Sequence, residues 1–146
     1  MPDHERTTTE TTLEHLPAEL RAALLERIET ALLNVPADAQ AFITNSRQHD
    51  MAFVIGPSDL LIATRDERGG TAVLLARLED LELGSLTAML RARGMDVPEA
   101  DGVDVTGFQV SGPEGGGRGS YHVGLGPPDG DAARAALEQA IRAARA

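Results

Sequence analysis

Apolar residues recur every three or four positions in the first third of the chain: Leu13, Leu16, Leu20, Leu24, Ile28 and Leu32 fall on one stripe of a helix. This spacing predicts an amphipathic helix over 13–34. Pro17 suits a first turn and not a helix interior, so the regular part is expected to start near Leu16 or Pro17. Thr11 and Glu14 have the spacing of a capping box, and Asn34-Val35-Pro36 supplies the stop. The preceding residues, 1–12, are rich in Thr, Glu and Asp with no apolar period, and are expected to form a disordered tail.

From residue 39 the pattern shortens to runs of five or six residues separated by turn chemistry. "AQAFITNSRQ" (39–48), "MAFVI" (51–55) and "LLIATR" (60–65) read as strands. The links are "QHD" (48–50) and "GPSD" (56–59), where Pro57 presets φ and Ser58 and Asp59 bond local amides. "DERGG" (66–70) is a hairpin loop with two glycines for positive φ. "TAVLLARLEDLEL" (71–83) reads as one long strand or two. Consecutive strands with short links predict an antiparallel meander or a partly open barrel.

Ser85 and Gly94 bracket a short helix over 85–94, with Leu86, Met89 and Leu90 on one face. "MDVPEADG" (95–102) is a loop, and "VDVTGFQVS" (103–111) and "GSYHVGL" (119–125) form a second hairpin. The last stretch, "DAARAALEQAIRAARA", places Ala133, Ala136, Leu137, Ala140, Ile141 and Ala144 on one stripe, with Asp129 or Asp131 as its cap. The expected fold is α+β: an N-terminal amphipathic helix, an antiparallel meander, a short middle helix and a C-terminal capping helix, in a single domain over 13–146.

Composition removes several function classes. The net charge is −10 and all 13 basic residues are Arg. Without lysine there is no Schiff-base lysine and no lysine-based phosphate loop. An acidic chain with four aromatic residues (Phe42, Phe53, Phe108 and Tyr121) offers neither the cations nor the stacking faces that nucleic acid requires. Strong binding to an anionic membrane is disfavoured on the same ground. The absence of Cys fits a reducing compartment, and the polar N-terminus carries no apolar core of a secretory signal. The expected location is cytoplasmic.

The candidate chemistry is sparse. "SGPEGGGRGS" (111–120) lies between two strand-like segments, lacks G-x-G-x-x-G spacing, and reads as a hairpin loop and not a phosphate cradle. "GLGPPDG" (124–130) reads as a tight strand-to-helix turn, with Asp129 where an anion would sit. His4, His15, His49 and His122 show no metal-ligand spacing, so neither a metal nor another cofactor is expected. Ser120 and His122 share a strand face but have no nucleophile elbow and no orienting acid. Glu79, Asp80 and Glu82 read as a solvated strand end. No catalytic residues are assigned. Arg47, Arg65, Arg68 and Arg118 lie in or near loops and form the candidate binding set for a small molecule or anion.

The run "LEHLPAELRAALLERIETAL", the strand–turn–strand "FVIGPSDLLIATRD", the strand ending in acids "VLLARLEDLEL" and the closing helix together resemble bacterial pleckstrin-homology-like domains over residues 13–146. That resemblance implies a barrel plugged by the last helix. The chain departs from it at 85–100, and lacks the lysine-rich first hairpin with which some members hold phosphoinositides, so protein binding is the implied activity. The order helix, strands, helix, two strands, helix also resembles type III secretion chaperones, which are small, acidic, cytoplasmic, dimeric and non-enzymatic. Both resemblances lead to a non-enzymatic protein-interaction module. The alternatives are an anion or small-molecule binder using the loop arginines and a dimeric chaperone-like protein. The wide apolar stripe of the first helix, with Leu25 and Leu33 at its edge, leaves room for a symmetric homodimer.

Overall fold

The computed structural model describes residues 7–46, 50–84, 93–94, 102–110 and 117–146. A first strand β1 (Thr7–Thr12) leads through a 3₁₀ turn (Leu13–His15) into helix α1 (Ala18–Thr30). Strands β2 (Gln40–Asn45), β3 (Asp50–Ile55), β4 (Asp59–Arg65) and β5 (Thr71–Arg77) follow. A second 3₁₀ turn (Leu78–Asp80) turns the chain into β6 (Glu82–Gly84), then β7 (Gly102–Val110), β8 (Gly117–Gly124) and helix α2 (Gly130–Arg145). The five-stranded antiparallel sheet has the order β1-β2-β3-β4-β5 and does not close into a barrel. The three-stranded sheet has the order β6-β7-β8. The fold is α+β, as the periodicities predict.

The central strands are covered on both faces, which explains their unbroken apolar runs. Side chains alternate between two cores with period two. Ala41, Ile43, Ala52, Val54, Leu61 and Ala63 face α1, which contributes Leu20, Leu24 and Ile28. Phe42, Phe53, Leu60, Ile62 and Ala76 face the opposite way, towards Val103, Val105, Phe108 and Val123 of the second sheet and Leu137 and Ile141 of α2. The helix-facing layer is rich in alanine, so leucines from α1 seat close to the sheet. The other layer holds the one stacked aromatic pair among the described residues: Phe42 and Phe53 are direct cross-strand partners with ring centroids 5.2 Å apart. Each buried α1 leucine contributes roughly 1.5–3 kcal/mol.

Several expectations are corrected. Residues 7–12 are not a disordered tail but a full strand paired with β2 from Thr7↔Asn45 to Thr12↔Gln40. Threonine is β-branched and favours strands even when the apolar alternation is missing. Thr11 belongs to that strand, so the capping box with Glu14 does not form, and Pro17 occupies the N-cap of α1 instead. The helix ends at Thr30 and not near Asn34. Leu32 takes a left-handed φ of 56°, while Leu33 N–H donates to the Ile28 carbonyl and Leu32 N–H to the Glu29 carbonyl. This is a Schellman stop built without glycine. The stretch 71–83 breaks at the second 3₁₀ turn. Asp129 does occupy the N-cap of α2, but its side chain makes no capping bond there. The expected helix over 85–94 lies outside the described residues except for 93–94, and so does the glycine cluster 111–120 except for Gly117–Ser120, which are not loop but the start of β8.

Gly107 fixes how the second sheet meets the first. It sits in a bulge of β7 at φ 133°, against the Asp80–Leu81 backbone that leaves β5. A Cβ at this position would collide with the Asp80 carbonyl oxygen. Glycine is thus required twice here, by φ and by close approach. On the other side of the same turn, Arg145 of α2 donates from Nη2 to the Leu81 carbonyl at 2.5 Å and from Nε to the Glu79 carbonyl at 3.3 Å.

Candidate functional site

β5 is the terminal strand of the five-stranded sheet. It pairs with β4 from Asp59↔Arg77 to Arg65↔Thr71, and among the described residues no strand pairs with its outer side. Its sequence, TAVLLAR, contains no proline and no acid, and its single charge is the terminal Arg77. Thr71 and Ala72 are exposed, and Val73, Leu74 and Leu75 are only half-buried. Val73 and Leu75 lean on the α1 core, and Leu74 on the opposite one. An outer row of backbone donors and acceptors flanked by apolar side chains is a template for another strand.

The opposite edge is built differently. β1 reads TTTETT, and the segment between β8 and α2 runs along its outer side. Thr8 is fully buried there and is the hub. Its N–H donates to the Pro127 carbonyl at 2.9 Å, and its carbonyl accepts the Asp129 N–H at 3.0 Å. The hydroxyl accepts the Gly126 N–H at 2.8 Å and bonds the Thr44 hydroxyl at 2.8 Å. Asp129 Oδ2 accepts the Glu10 N–H at 2.8 Å, which is where its capping capacity has gone. "GLGPPDG" is therefore the strand-to-helix turn its composition predicts, and it also closes a sheet edge.

A groove of about 340 Å³ opens at the Thr71 end of β5, lined by Thr64, Arg65, Asp66, Gly70, Thr71, Ala72 and Tyr121. Of the four predicted arginines, Arg65 lines it and Arg68 lies in the loop whose ends, Asp66 and Gly70, line it. Arg65 is held by Glu19 Oε2 of α1 at 2.6 Å and by Asp50 Oδ2 of β3 at 2.5 Å. Hydrogen bonds that it donates to Glu19 first and Asp50 second raise its pKa above the ordinary guanidinium value. Arg65 therefore braces α1 against the sheet, with its charge already matched by two carboxylates. Arg68 lies in the loop between β4 and β5, where Asp66 Oδ1 accepts the amides of Arg68 and Gly70. Arg47 lies outside the described residues. Arg118 is placed by its backbone opposite Gln109 in β8, and its side chain lies outside the described set.

Ser120 and His122 are placed by register opposite Thr106 and Asp104. Among the described residues no three His, Asp or Glu side chains gather where a metal could be held, and no helix is long and apolar enough to cross a membrane. Compared with protein-family models, with curated proteins and with solved structures, the chain finds no match.

The residues that make β5 unusual carry no motif. The signal was a seven-residue run free of proline and acid, bounded by Gly-Gly and Leu-Glu-Asp. Its position at an edge depends on strand order, which hydrophobic pattern does not encode. Thr8 was hidden for the opposite reason, being one of five threonines in a segment that reads as solvated tail.

Proposed function

We propose that this chain is a non-enzymatic protein-interaction module whose partner docks on β5 by adding a strand to the five-stranded sheet. The observation that carries the reading is an edge that no described strand covers: seven residues without proline or acid, with half-buried Val73, Leu74 and Leu75 at the centre. Strand addition draws affinity from main-chain hydrogen bonds and specificity from alternate side chains. β5 offers a backbone ladder and two different apolar rows, one beside α1 and one beside the second sheet. A net charge of −10 disfavours nucleic acid and anionic lipid as partners and leaves protein as the favoured class. The cysteine-free composition suits a reducing, cytoplasmic setting.

The test is an edge-blocked variant. Ala72 is exposed, so Ala72→Lys adds a charge to the edge without disturbing the core. Self-association and complexes with identified proteins, measured by sedimentation and by affinity capture, should be lost in Ala72→Lys and kept in the original chain. Association that is unchanged in Ala72→Lys would refute docking at β5.

A further inference from the structure

We infer that the strand added to β5 is β5 of a second copy of this chain, antiparallel about a two-fold axis at Leu74. This rests on the interaction reading above and names its partner. The pattern of β5 is self-complementary about that centre. Thr71 comes opposite the partner's Arg77, Ala72 opposite the partner's Ala76, and Val73 opposite the partner's Leu75, with Leu74 facing itself. Small residues meet small ones and branched residues meet branched ones.

The register also satisfies the layers. Residues directly opposite in an antiparallel pair share a face. Centring on Leu74 matches odd positions with odd ones, so both copies keep α1 on one side and the second sheet on the other. A slip of one residue would turn one copy over and set a helix against a sheet. Slips of two leave part of the seven-residue strand unpaired.

Charge favours the same arrangement. Two acidic copies repel over most of their surfaces. At β5 the only charge is Arg77, which Glu79 Oε1 holds at 2.6 Å in an exposed and therefore weak pair, and the partner's Arg77 arrives beside Thr71, where it can exchange that carboxylate for those at the other copy's strand end. Arg65 is the ladder partner of Thr71, and the described residues around that end include Glu19, Asp50, Asp66 and Glu67 against Arg65 and Arg68. At that end four carboxylates outnumber two guanidiniums, so it accepts a further cation. The groove of about 340 Å³ lined by Thr71, Ala72 and Asp66 gives the incoming side chain room.

A seven-residue strand pair is about 24 Å long and falls short of the roughly 1,200 Å² that a stable interface buries. The first helix supplies more. It packs over β4 and β5, at this edge, so the two copies bring their α1 helices towards each other on one face. Leu25 of that helix is 47% exposed and available to such a contact.

The experiment uses the full chain. Sedimentation equilibrium should give twice 15.4 kDa at micromolar concentration, falling to the monomer on dilution. Because the chain has no Cys, Leu74→Cys reports the axis directly: mild oxidation should link two copies, and cysteine at 72 or 76 should link them far less. Arg77→Glu should raise the dissociation constant roughly tenfold, as should Thr71→Arg, and combining the two should restore association to within about threefold. Both side chains are exposed, so circular dichroism should show each variant folded. A monomer at every concentration overturns the second copy, while the edge reading stands if another identified protein is still lost in Ala72→Lys. A dimer that ignores Arg77→Glu, or that cross-links better at 72 or 76 than at 74, also overturns the inference.

Discussion

The two edges of the five-stranded sheet solve the same problem in opposite ways. β1 is polar, and its outer side is closed by Gly126–Asp129 through main-chain and side-chain hydrogen bonds centred on Thr8. β5 is apolar, and no strand among the described residues covers it. A sheet edge is a hazard unless it is paired, covered or charged. The chain spends its own backbone on the edge that composition already protects. The edge that most invites pairing has no strand beside it among the described residues. The difference teaches that the two edges are shielded by different means: β1 by the chain's own backbone, and β5 by no strand among the described residues, which is what the proposed docking of a partner strand requires.

The largest expected effect lies at the corner that holds the open edge in shape. Gly107→Ala forces a strained φ and a collision with the Asp80 carbonyl, and should cost about 2–4 kcal/mol of stability, measured by urea denaturation. It should also weaken association, because the Asp80–Leu81 backbone continues β5.

Thr8→Val comes next. It keeps the shape but leaves the Gly126 amide and the Thr44 hydroxyl without their shared partner, at a cost of about 1–3 kcal/mol. Amide exchange should rise along β1 and Gly126–Asp129 and stay unchanged along β5. Equal acceleration at both edges would erase the distinction between them.

Asp129→Ala removes only the bond to the Glu10 amide and should cost about 1 kcal/mol, read as a shift in denaturation midpoint. Ala72→Lys should change monomer stability by less than about 0.5 kcal/mol, since an exposed residue on an open edge has little to lose. A large destabilisation in this last variant would mean that β5 is already covered within one chain.

The strands and helices were legible because their pattern reports burial directly. The doubly covered β3 and β4 read as continuous apolar runs, and α2 as a clean stripe. β1 was not legible, because its stability comes from threonine pairing and from contacts with Gly126–Asp129, more than a hundred residues away. Of the arginine set, sequence correctly placed Arg65 and Arg68 near one end of the sheet. It could not show that Glu19 and Asp50 already hold Arg65, since those partners lie 46 and 15 residues away. That β5 is the terminal strand follows from strand order alone, which hydrophobic pattern does not encode.

The closure of β1 must come late as the chain leaves the ribosome, because its two halves are far apart in sequence. The meander spans residues 7–77, so its ladder can assemble as soon as those residues emerge. The lock on Thr8 waits for Gly126–Asp129, 118 residues later. Throughout that interval the first strand is exposed in a nascent chain, and its threonines and Glu10 are then the only protection it has. Polar composition guards the strand early, and the hydrogen bonds to Gly126–Asp129 take over once the Pro-Pro turn has emerged from the ribosome.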